Sequence, residues 1–173
     1  MKFDDILNLA LETIEPEDKA GSQWAKSGSQ DREKGKIGPK TFSGEEDKVK
    51  IKFDPDDPDI KGEYIEHTHP IPDGMEPSVA IALPSHEDLE VAMDHIDHNI
   101  AGIIVYTSDG RYQSKLTYTD KIRPNADTSA YKQVFEIAAK DRTDENIQRA
   151  IDELKKLGFD VDIIDHEKSQ ELA

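Results

Sequence analysis

Phe3, Ile6, Leu7, Ala10, Leu11 and Ile14 recur at the spacing of one helix face, so residues 3 to 14 predict an amphipathic helix ended before Pro16. Residues 15 to 48 are rich in Gly, Ser, Lys and Glu with few apolar anchors, and part of that stretch reads as a mobile loop. The alternation Val49-Lys50-Ile51-Lys52-Phe53 then predicts a strand with one buried face, closed by the turn-forming Asp54 to Pro58. Gly62 to His69 reads as a second strand. Residues 86 to 96 place Leu89, Ala92, Met93 and Ile96 on one helix face, and Ile103 to Tyr106 is a continuous apolar run of the kind found in central strands. Ser108-Asp109-Gly110 turns the chain into Tyr112 to Tyr118, a hairpin pattern. Tyr131, Val134, Phe135 and Ala138 mark another helix, and Ile147, Ala150, Ile151, Leu154 and Leu157 mark one more, stopped by Gly158. Val161 to Ile164 predicts a last short strand before a polar tail. The fold class is α+β, a mixed β-sheet flanked by helices.

Composition narrows the function classes. Hydrophobic and charged residues each make up 35% of 173 residues, which suits one ordinary domain with a modest core and a heavily ionised surface. A formal net charge of −16 argues against nucleic acid as a partner and against an anionic membrane surface. With no cysteine in the chain, disulfides, cysteine zinc ligands and cysteine nucleophiles are excluded. The start of the chain lacks a signal-peptide layout and no apolar run reaches membrane-spanning length, so the expected location is cytoplasmic.

The candidate chemistry lies between residues 67 and 88. His67 and His69, separated by one residue on an extended segment, point to the same face, and Asp88 follows on the next predicted helix. Two histidines, one carboxylate and an open fourth position make the coordination plan of a catalytic zinc site. Each half also has a plain structural reading. Ser85-His86-Glu87-Asp88 before a helix is a capping-box pattern, and two surface histidines can stand near one another by chance. His86, His95 and His98 are weaker competitors for a metal, His95 and His98 being three residues apart on one helix face. Trp24 is either a core anchor or a contact residue.

His67-Thr68-His69-Pro70 followed by Ser85-His86-Glu87-Asp88 resembles the signature of the JAMM (JAB1/MPN/Mov34) zinc metalloproteases, in the manner of a divergent prokaryotic or viral JAB-like member. The resemblance spans about residues 30 to 118. It implies an MPN/JAB-like fold with cytidine-deaminase-like layering over residues 1 to 125, and a C-terminal helical extension, 126 to 173, packed on the same domain. It implies zinc held by His67, His69 and Asp88, with Ser85 at the oxyanion and an upstream glutamate as general base. Glu33, followed by Gly35 and Ile37, is the favoured glutamate, with Glu45 or Glu46 the alternative. Glu63 and Glu66 stand too near the histidines and read as solvent-facing strand residues. Fifteen residues, 70 to 84, separate the two halves of the motif, a longer interval than in the family's compact form.

The activity so implied is hydrolysis of a peptide or isopeptide bond in a protein or peptide substrate, removal of a ubiquitin-like modifier included. The alternatives are a non-catalytic MPN-like scaffold, or an interaction module whose acidic surface recruits basic partners.

Overall fold

The computed structural model describes residues 14–96 and 99–167. The predicted helix over 3 to 14, apart from Ile14, together with His98 and the end of the polar tail, therefore lies outside the described residues. Six strands form one mixed sheet: β1 (Lys34–Ile37), β2 (Lys40–Ser43), β3 (Tyr64–His69), β4 (Gly102–Thr107), β5 (Tyr112–Tyr118) and β6 (Phe159–Asp165). Their order is β2-β1-β3-β4-β5-β6. Only β3 and β4 run parallel; every other neighbouring pair is antiparallel. All six residues of β4 are buried, as the unbroken apolar run requires of a strand covered on both faces.

One face of the sheet carries the main core. Ile65, Ile103, Leu116 and Ile163 meet the helices α2 (Val79–Ala82), α3 (His86–Asp94), α4 (Ser129–Lys140) and α5 (Asp144–Leu157) there. The stripe Ile147, Ala150, Ile151 and Leu154 of α5 is buried, as its spacing predicts. Gly158 ends that helix in the left-handed conformation at φ 113°, its N–H reaching back to the Leu154 and Lys155 carbonyls. The opposite face is covered by α1 (Pro16–Lys26) over a smaller cluster of Ala25, Ile104 and Tyr106.

Two expectations change here. Residues 15 to 48 form α1 and the β1–β2 hairpin, because α1 buries Asp18, Gly21, Ser22 and Ala25, a helical stripe made of polar and small residues. Residues 49 to 53 join no strand, although Val49, Ile51 and Phe53 stay half-buried while Lys50 and Lys52 are exposed. The alternation there records an extended segment lying over the sheet face, without ladder hydrogen bonds.

Candidate metal centre

Strand period places Ile65, His67 and His69 on the face of β3 that carries the main core. His67 lies between Gly35 of β1 and Val105 of β4, at the middle of the sheet. Glu33 precedes β1 by one residue and shares the face of Gly35, so the antiparallel register brings it alongside the histidines. Gly35 is required by packing: a Cβ there would stand 2.5 Å from Ile51 Cδ1 of the covering segment. Asp88 arrives from the first turn of α3, where a carboxylate also suits the helix dipole.

These elements bring three donor atoms into a triangle. His67 Nε2 and His69 Nε2 are 3.1 Å apart. Asp88 Oδ2 lies 3.0 Å from the first and 2.9 Å from the second. Glu33, His67 and His69 also form a group whose ligand atoms all lie within 4.8 Å of one another, and that group could hold a metal ion. Glu33 is 8% exposed and His67 6%, so the cluster sits at the closed end of its cleft.

The hydrogen bonds fix the chemistry of the triangle. His69 Nδ1 is 2.7 Å from the Ile81 carbonyl, which can only accept, so Nδ1 carries the proton. A neutral His69 therefore turns an unprotonated Nε2 toward Asp88 and His67. Lone pairs at about 3 Å repel unless a cation lies between them. A proton or a metal ion must neutralise this arrangement, and the orientation of His69 by a carbonyl behind it is the one metal-bound histidines use. Tetrahedral zinc with bonds of about 2.0–2.2 Å separates its ligand atoms by about 3.4 Å, within a few tenths of the triangle. The histidines and the neighbouring carboxylates could hold a metal ion.

The acid–base balance follows from the same contacts. Burial opposes charge on His69, but the hydrogen-bonded Asp88 carboxylate outweighs it and raises the imidazole above its ordinary value. Burial also works against Asp88, yet His67 and His69 hold its carboxyl well below the usual range. At Glu33 burial dominates over both histidines and pushes the carboxyl up.

Ser85 and Asp88 make a complete capping box as well: Asp88 N–H donates to Ser85 Oγ at 3.1 Å, and Ser85 N–H donates to Asp88 Oδ2 at 2.9 Å. The capping and ligand readings coexist at one carboxylate. The long interval from 70 to 84 folds partly into α2, and it supplies the Ile81 carbonyl that orients His69. Sequence spacing carries no signal for that backbone contact. Ser78 caps α2 instead of facing the histidines, its side chain accepting from Ala80 N–H.

The other candidates are placed elsewhere. Glu45 points outward beside Lys48, and its backbone carbonyl accepts the Glu33 N–H at 2.7 Å. Glu46 is exposed. His86 faces Thr128, 3.0 Å away, and Glu90. His95 caps the end of α3 and lies against Phe53, ring centroids 5.2 Å apart. Glu66 is not solvent-facing: it lies half-buried on the α1 side of the sheet, accepting the Tyr106 hydroxyl at 2.6 Å.

The triangle opens into a cleft of about 630 Å³. Val49, Ile51 and Phe53 form one wall, Ile65 and Ile103 the floor, and Ser85 and Val91 the other side. No family model matches the chain, and no curated protein or solved structure matches it either.

Proposed function

We propose that the protein is a zinc-dependent hydrolase of peptide or isopeptide bonds of the JAMM type, acting on proteins that include conjugates of a ubiquitin-like modifier. The observation that carries this reading is the triangle of His67 Nε2, His69 Nε2 and Asp88 Oδ2, with edges of 2.9 to 3.1 Å, beside a buried glutamate in an open cleft. In this reading residues 1 to 125 are an MPN-like domain and residues 126 to 173 its extension.

His67, His69 and Asp88 would hold the ion. Bound there, zinc would lower the pKa of a water to about 7 and polarise the scissile carbonyl. Glu33 takes the proton of the attacking water and passes it to the leaving amine, and its burial brings its proton affinity nearer to that task. The Ser85 hydroxyl accepts the Asp88 N–H and still has its own proton to donate to the developing oxyanion, a contribution of up to about 3 kcal/mol. The apolar walls exclude water around the bond being cut and favour an apolar side chain beside it.

A non-catalytic scaffold is the second reading, favoured by the double engagement of Asp88 Oδ2 with Ser85 and the two histidines. The test is elemental analysis of the native protein and of a His67→Ala/His69→Ala variant, followed by a panel of peptide and isopeptide substrates. About one zinc per chain is expected, lost in the double variant. Glu33→Gln should keep its zinc while kcat falls by roughly 10²- to 10⁴-fold. Zinc retained with no hydrolysis of any substrate would select the scaffold. No zinc after reconstitution would sink both.

A further inference from the structure

On the side of the sheet away from the metal centre, a chain of buried polar groups joins α1 to the end of β6. Gln113 of β5 is fully buried at its centre. Its Nε2 donates to Asp18 Oδ1 of α1 at 2.8 Å, and its Oε1 lies 2.7 Å from His166 Nε2. Because the amide nitrogen is turned to the carboxylate, Oε1 must accept, and His166 Nε2 carries the proton. Asp18 and His166 are 4% and 6% exposed.

The rest of the α1 interface has little apolar area with which to hold the helix. Among the described residues, its apolar cluster consists of Ala25, Ile104 and Tyr106, with Trp24 and Tyr64 packed against them. The helix backbone lies directly on the sheet: a Cβ at Gly21 would meet the Tyr106 hydroxyl at 1.8 Å. Ser22 Oγ adds a 2.5 Å hydrogen bond to the Gly110 carbonyl. Polar anchors therefore carry a large share of the docking.

We propose that His166, Gln113 and Asp18 form a proton-operated latch that fastens α1 to the sheet and releases it when His166 takes up a second proton. The docked helix buries a neutral imidazole; an undocked helix lets the ring hydrate and charge. The groups facing His166 are Asp18, Lys19 and Lys26 of α1, and Asp165 at the end of β6. Among the described residues, Lys115 of β5 is paired with Asp18, and Arg111 of the β4–β5 turn with Asp165 and with Glu167, the next residue after His166. Burial outweighs the two carboxylates and holds His166 below its ordinary value. The docked state thus binds fewer protons than the undocked one. Docking is at full strength above about pH 6.5 and weakens as pH falls through the window beneath it.

The latch is independent of the metal reading, although α1 also touches the start of β1. Lys34, next to Glu33, donates to the Trp24 and Ser27 carbonyls at the C-terminal end of the helix.

Trp24 is the sole tryptophan of the chain and packs edge-on to Tyr106, so its fluorescence reports docking. On acidification of the full chain below about pH 6.5, its emission should shift to the red while far-UV circular dichroism is largely kept. His166→Gln, which can still donate to Gln113 but cannot titrate there, should lose the shift. In the unmodified protein, amide protection in α1 should fall about tenfold per pH unit within the window, while that of α5 stays unchanged. That measurement decides the matter even if the variant fails to fold. A red shift that survives in His166→Gln would show that a group other than His166 drives the transition, and would overturn the latch. So would α1 protection that stays constant down to global unfolding.

Discussion

Asp88 closes a capping box and bridges two histidines with a single carboxylate oxygen. Asp88 is therefore a helix-capping residue that also sits against both histidines, and the Ile81 carbonyl orients His69 from behind. Glu66 shows the same sensitivity to environment on the opposite face. It accepts the Tyr106 hydroxyl and lies 3.5 Å from Lys36 Nζ, yet burial raises its carboxyl against both partners. Just above the ordinary carboxyl value of about 4.3, the folded protein keeps a proton that the unfolded chain has released. Stability from this residue is therefore present at low pH and declines as pH rises through that window. Glu66→Gln has no such dependence, so the stability of the native protein relative to the variant should fall as pH rises above about 4.3. Urea unfolding at several pH values reads the difference, and a gap that grows with pH would contradict the account.

At the scale of elements, the helices with apolar stripes were legible from spacing, and their ends followed from local chemistry. Thr143 caps α5 by accepting the Asn146 N–H at 3.1 Å, and Gly158 closes its other end. Thr143→Ala should cost about 1 kcal/mol in thermal or denaturant unfolding and leave zinc content unchanged. A zero cost would mean that water replaces the cap fully. Helix α1 was not legible, although its first turn carries Pro16, Glu17 and Asp18 as a helix start should. Its buried stripe is Asp18, Gly21, Ser22 and Ala25, and a hydrophobic period cannot register a face whose partners are Gln113, Tyr106 and a carbonyl. The segment 49 to 53 misled in the opposite sense. Alternating burial demands only an extended chain over a surface, and strand pairing needs a neighbour that spacing does not reveal.

Across the whole molecule, the candidate metal centre draws on the start of β1, on β3 and on α3, elements distant in the chain, so an ion bound there would tie them only in the folded state. Zinc at a thousandfold excess over its Kd would add about 4 kcal/mol, which for a chain of this size raises the melting temperature by roughly 8–15 °C. A chelator should reverse the rise, and His67→Ala/His69→Ala should show none; an equal rise in the double variant would place the ion elsewhere. Among the described residues no helix is long and apolar enough to cross a membrane. The sequence by itself determined the α+β class, the central strand, three of the four longer helices among the described residues and the alternation that puts His67 and His69 on one face, because each depends on a local period or a cap. Only the tertiary structure decided that Glu33 and Asp88 meet those histidines, that residues 70 to 84 supply a carbonyl behind His69, and that α1 docks through buried polar groups. Those outcomes depend on strand register and on backbone atoms common to every residue, and a linear pattern of side chains does not encode them separately.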